Sequence, residues 1–203
     1  MKALIGLSCI IVFVVTSCIK PSTCPSESAS NTSEIEHYDW TPDLIITDSI
    51  ALDLDSNGVD DLLFFTTSEI AGSTSSGGAY YNESAKVKSI NPKVSFSFGN
   101  QLLENITYDN SYDCLEEGDI INNDLTWYDF SSSVSIKKKY FSGVFLHLGI
   151  WDVNPSYGYI GVKVEGLVGN CFYWIKLSAS TSSITLKEMK RNPNVNQPIL
   201  VGG

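Results

Sequence analysis

The oxygen-bearing side chains of residues 53–61 fall at a spacing suited to a divalent cation. In Asp53-Leu54-Asp55-Ser56-Asn57-Gly58-Val59-Asp60-Asp61, oxygens stand at loop positions 1, 3, 5 and 9, a glycine at 6, and at 7 a residue that can offer its carbonyl. A hard cation the size of Ca2+ takes about six to eight oxygens, and a tight loop reversing at glycine wraps them around one point. The expected ligands are Asp53, Asp55, Asn57, the Val59 carbonyl and Asp61, and the expected role is structural. An EF-hand would add a glutamate at position 12, where this chain has Phe64 between strand-like flanks, so a helix–loop–helix site is not expected. The competing account is a short hairpin turning at Asn57-Gly58, because both residues tolerate positive φ. A hairpin alone gives no reason for Asp53, Asp55, Asp60 and Asp61, which repel one another without a cation.

No comparable set points to catalysis. His37 and His147 are the only histidines. His37 falls in a polar N-terminal stretch and His147 in an apolar strand-like run, so no Ser-His-Asp or Cys-His arrangement is expected. Glu116, Glu117 and Asp119 cluster as an acidic turn. They are the carboxylates on which an alternative, secreted glycan hydrolase would have to rest. Trp127 and Tyr128, beside Asn123 and Asp124 in a loop-like stretch, are the candidate stacking surface for a sugar ring, although core packing is the commoner use of such rings. Of five cysteines, Cys9 falls in the leader, Cys18 is the expected lipidation site and Cys24 lies in the segment after it. That leaves Cys114 and Cys171 to form a disulfide or to serve as two small buried hydrophobes. No Cys/His spacing suggests zinc.

The elements that must position these residues read as strands. Alternation of period two marks 49–54, 94–98 and 158–164, and further candidate strands lie at 61–67, 79–90, 134–140, 144–151, 171–178 and 184–189. No long amphipathic helical period occurs and no repeat has a fixed period. The expected fold is an all-β, jelly-roll-like β-sandwich in one domain over residues 39–203. Leu62-Leu63-Phe64-Phe65 predicts a central strand covered on both faces. Lys137-Lys138-Lys139 predicts a solvated strand end guarded against edge pairing.

Residues 1–17 read as a signal peptide: Lys2, then an apolar run from Ala3 to Val15, too short to span a bilayer. Val15-Thr16-Ser17-Cys18 resembles the bacterial lipobox, which implies diacylation of Cys18 and cleavage before it. Residues 18–38, rich in Ser, Thr, Pro and Asn, read as a flexible tether. The expected place is the bacterial envelope, held to the membrane by the lipid, with the outer membrane favoured because Ile19 is not an inner-membrane retention signal. Asp48-Ser49-Ile50 resembles a short bacterial O-glycosylation signal at Ser49.

Across its 203 residues the chain carries a net charge of −10, with 43% apolar and 18% charged residues. The apolar content excludes disorder throughout. The charge repels phosphate backbones, so nucleic acid is not an expected partner.

The 53–61 loop resembles the DxDxDG-type calcium loops of secreted bacterial β-proteins, with Asn57 in place of the third Asp. Together with Leu115–Ile121, Gly158–Val164, Phe172–Leu177 and Pro198–Gly203, it makes the chain resemble a largely uncharacterised group of secreted bacterial β-sandwich proteins and lipoproteins. Phe172-Tyr173-Trp174 lacks the glycine usual in that group. The resemblance implies an exported β-domain and no established activity. The expectation is a non-catalytic, calcium-stabilised lipoprotein that binds a glycan or an envelope protein.

Overall fold

A computed structural model describes residues 35–73, 79–99, 115–129, 133–141, 145–148 and 157–203. These residues form strands and turns with no helix. The strands are β1 (Glu36–Ile46), β2 (Ser49–Leu52), β3 (Leu62–Ser73), β4 (Ala79–Ser89), β5 (Val94–Ser97), β6 (Ile120–Ile121), β7 (Ser133–Phe141), β8 (Phe145–Leu148), β9 (Gly158–Glu165), β10 (Asn170–Ala179), β11 (Ile184–Asn192) and β12 (Ile199–Leu200). One five-stranded sheet has the order β1-β11-β10-β9-β5, and a second the order β2-β3-β4-β7-β8. The pairings are antiparallel. Consecutive strands pair as β2-β3-β4, β7-β8 and β9-β10-β11, and the chain passes between the two large sheets after β1, β4, β5 and β8.

The two sheets share one core. Leu62, Phe64, Ala85, Val87, Val134 and Ile136 from the second sheet meet Phe96, Ile160, Val162, Tyr173, Ile175 and Leu186 from the first. The expected all-β sandwich is thus the fold observed. Burial alternates along β3, where Leu62 and Phe64 are fully buried while Leu63 and Phe65 are half-buried. One face of this strand therefore packs, and the other does not. The expectation that β3 is covered on both sides is corrected: its outward ring at Phe65 lies instead beneath the Lys86 ammonium, 5.9 Å from the ring centre.

The doubly covered strand is β10. Cys171, Phe172, Tyr173, Trp174 and Ile175 are all buried. Its odd-numbered residues face the sandwich core, and Phe172 and Trp174 face a second, smaller core with Leu115, Ile121, Tyr159, Ile199 and Val201. A two-stranded sheet of β12 and β6 closes that outer core, with Ile199 opposite Ile121. Gly161 sits directly beneath Ile121, whose side chain would lie 3.4 Å from a Cβ added there. The Trp174 indole donates to the Leu200 carbonyl at 3.1 Å and meets Tyr159 edge to face. The segments 115–121, 158–164, 172–177 and 198–203 therefore converge on one small structure.

Two placements differ from the sequence expectation, the first being β1 itself, since no strand was expected over 36–46. The sheet begins at Glu36, so residues 36–38 belong to β1 and not to a tether. His37 is consequently a strand residue, its Nε2 3.0 Å from Glu188 Oε2. As an edge strand largely open to solvent, β1 carries no apolar alternation to signal it. The Lys137–Lys139 run is also not at a guarded edge, because β7 pairs with both β4 and β8, with Glu83 opposite Lys139. His147 lies in β8, also opposite Lys139.

Candidate metal centre

Strands β2 and β3 close on the pair Leu52–Leu62, leaving residues 53–61 as the connection. The Asp61 amide donates to the Leu52 carbonyl at 2.7 Å, which locks the neck of this loop. Positive φ occurs at Ser56 and Gly58 and not at Asn57. A two-residue turn at Asn57-Gly58 needs both central residues in that region, so the short hairpin is not what forms. The loop instead folds inward over its own carboxylates.

Asp53, Asp55 and Asp61 each bring a carboxylate oxygen to within 4.8 Å of the others. Backbone amides hold them there. Asp53 accepts from Asn57 at 3.1 Å through Oδ1 and from Gly58 at 2.7 Å through Oδ2, and Asp55 Oδ1 accepts from Asn57 at 3.2 Å. Asp61 is fully buried, its Oδ2 taking the Leu54 amide at 2.8 Å and its Oδ1 the Asn91 side-chain amide at 2.7 Å. Asn91 is itself buried and lies in the turn between β4 and β5. It was not legible as part of the site, because its contact with Asp61 spans thirty positions of chain.

The electrostatics of the loop are unfavourable as it stands. Burial pushes the Asp61 carboxyl up to about 6, against the opposing effect of the Leu54 and Asn91 hydrogen bonds, and the charges of Asp55 and Asp53 push the same way as burial. Asp53 and Asp61 take their hydrogen bonds from amides and not from a cationic side chain. Each carboxylate oxygen has two lone pairs, so one amide bond orients it without exhausting it. A divalent cation fits such a donor set: hard anionic oxygens, oriented, partly desolvated and mutually repelling.

The remaining expected ligands are not all turned to that purpose. The Asn57 side-chain oxygen accepts from the Val59 amide at 2.7 Å, while its Nδ2 is buried without a partner. Val59 is largely exposed, and Asp60 is exposed beside the converging trio. Tyr173, from the facing sheet, is fully buried, and its hydroxyl is pushed up to about 12, first by burial, with Asp55 and Asp61 adding to the rise and Arg191 opposing it. That hydroxyl lies beside the Arg191 guanidinium without a well-aligned hydrogen bond, and Arg191 pairs with Glu36 at 2.6 Å.

Trp127 and Tyr128 do not form one platform. The Tyr128 backbone bridges Phe96 in both directions, at 2.8 and 3.0 Å, and its ring stacks on Phe96 against the sandwich core. Trp127 packs against the outer core, its ring centre 6.1 Å from that of Phe172, with the Lys163 ammonium over the indole at 5.1 Å. Adjacent residues of an extended chain point to opposite sides, so the two rings join different cores. Glu116, Glu117 and Asp119 are exposed and form a turn in which Asp119 Oδ2 accepts the Glu116 amide at 2.8 Å. Cys171 is buried and disulfide-bonded. Its expected partner Cys114, like Cys18, lies outside the described residues. Ser49 is exposed at the start of β2. Comparison with protein-family models, with curated proteins and with solved structures finds no match.

Proposed function

We propose that this chain is a non-catalytic envelope lipoprotein, anchored through Cys18, whose β-sandwich is stabilised by calcium in the 53–61 loop and which works by binding an envelope protein or a glycan. The observation that carries the metal part is the convergence of Asp53, Asp55 and Asp61 within 4.8 Å on a loop closed by its own amides. Those residues would hold the ion, and the ion would supply charge neutralisation between β2 and β3. The lipobox-like Val15-Thr16-Ser17-Cys18 and the resemblance to secreted bacterial β-sandwich proteins support the exported setting. In this reading Asp53, Asp55 and Asp61 hold an ion, and Glu116, Glu117 and Asp119 shape an exposed turn. With Trp127 and Tyr128 engaged in packing, a glycan would have to be met by other surfaces.

The test is calorimetric titration of the mature chain with calcium and with magnesium. Calcium is expected to bind one site at about 0.1–1 mM, the range of extracellular modules, and magnesium much more weakly because it gives up its waters reluctantly. Equal affinity for the two ions, or no heat from calcium at millimolar concentration, would refute the metal assignment.

A further inference from the structure

Three features gather at one end of the sandwich. β1 enters the first sheet there, at Glu36 opposite Arg191, so the described chain begins at that end. The 53–61 loop and the Asn91 turn lie at the same end, joined by the Asp61–Asn91 contact. So does the turn between β9 and β10, beyond the pair Glu165–Asn170.

That last turn is chemically unusual. It closes with the Gly166 amide donating to the Gly169 carbonyl at 2.8 Å, and the two residues at its tip are Leu167 and Val168, 76% and 63% exposed. Among the described residues they are the most exposed large apolar side chains at this end. Tight turns favour Gly, Asn, Asp and Ser for conformational reasons that two aliphatic residues do not serve. The corresponding turn at the far end of the same sheet, between β10 and β11, shows the ordinary choice. It closes with the Ser180 amide on the Ser183 carbonyl at 2.8 Å and carries Thr181 and Ser182 at its tip. Nor is the apolar tip a loose end. Asn170 and Asn196 exchange hydrogen bonds at its base, at 2.7 and 2.9 Å, and the Asn170 side chain donates to Asn123 at 2.8 Å. A rigid base therefore presents two aliphatic side chains to solvent.

We infer that the Leu167-Val168 turn is a wedge that inserts into the surface of the lipid bilayer to which the chain is anchored. This rests on the lipoprotein reading. Cys18 and Ile35 are 17 residues apart, a contour of at most ~60 Å, and β1 starts at the same end as the turn. A tether joined at this end brings it to the membrane more readily than the Thr181-Ser182 end, and an apolar tip there would fix that orientation. Two side chains on a narrow turn also suit a lipid surface better than a protein, since a stable protein interface covers about 800 Å² on each partner. Zwitterionic phosphatidylethanolamine and phosphatidylcholine suit this end whether or not a cation neutralises the 53–61 loop, since neither headgroup carries a net charge for that loop to attract or repel.

The experiment places an environment-sensitive fluorophore at Val168→Cys, in a Cys24→Ser background, on the lipidated chain reconstituted into phosphatidylethanolamine–phosphatidylcholine vesicles. The same label at Ser182→Cys is the control. Insertion predicts a blue shift, a severalfold rise in intensity and quenching by spin-labelled lipid at residue 168, none at residue 182, and loss of all three when Leu167→Asp is added. Equal signals at 168 and 182, or a signal at 168 that survives Leu167→Asp, would overturn the wedge. A parallel arm attaches residues 19–203 to nickel-chelating vesicles through an N-terminal hexahistidine tag. If the chain with its native Cys18 fails to float with vesicles, the lipoprotein reading is wrong, and the tagged arm still decides whether the turn inserts.

Discussion

Asp61 is the residue on which the loop turns. Its side chain ties the start of the loop at Leu54 to the β4–β5 turn at Asn91, and burial lifts its carboxyl to about 6 from an ordinary 3.8. A carboxyl whose folded value exceeds its unfolded value favours folding while protonated. That contribution is complete below about pH 4 and is lost as the pH rises through about 6. The difference corresponds to roughly 3 kcal/mol. In chelator, stability of the wild type relative to Asp61→Asn is expected to fall by up to this amount between pH 4 and pH 7, measured by denaturant unfolding. Equal pH dependence of the two proteins would show that Asp61 is not strained in the metal-free fold. A cation needs the ionised form, so its effect should grow over the same interval.

Among the elements, β10 ties the molecule together, because it is buried on both faces and carries the disulfide-bonded Cys171. With Cys24 in the N-terminal segment, Cys114 is the expected partner, and closing that 57-residue separation would stabilise the fold by about 4 kcal/mol in the chain-entropy model. Peptide mapping of unreduced mature protein should recover Cys114 linked to Cys171. A Cys24–Cys171 peptide would reassign the bond and pin the N-terminal segment to the core. The strands found from sequence are those with a buried face and enough length to alternate, such as β5, β9 and β11. β1 was not legible anywhere over 36–46 because an exposed edge needs no apolar rhythm, and β6 and β12 were not because two residues make no period. The loop at 53–61 was legible because its carboxylates are neighbours in sequence. Asn91 and Tyr173 were not, since only the fold brings them near. Trp127 and Tyr128 misled for the opposite reason: adjacency in an extended chain separates side chains.

At the scale of the whole molecule, the sandwich has two chemically different ends. One carries the polar Thr181-Ser182 turn. The other gathers the chain's entry, the acidic loop and the apolar Leu167-Val168 turn. Calcium in the loop would neutralise carboxylates that otherwise repel at the second end and clamp β2 to β3, and global unfolding should report it. A ligand that binds only the folded state stabilises it by RT ln(1 + [L]/Kd), about 1.8 kcal/mol at ~2 mM calcium and a Kd near 0.1 mM. For a chain of this length that is a rise in melting temperature of roughly 4–7 °C. The most direct test is a thermal melt of the mature chain at pH 7 in chelator, magnesium and calcium, repeated on Asp55→Ala. The account predicts a rise with calcium well above that with magnesium, abolished by Asp55→Ala. A calcium effect no larger than magnesium's, or one that Asp55→Ala leaves intact, would contradict it.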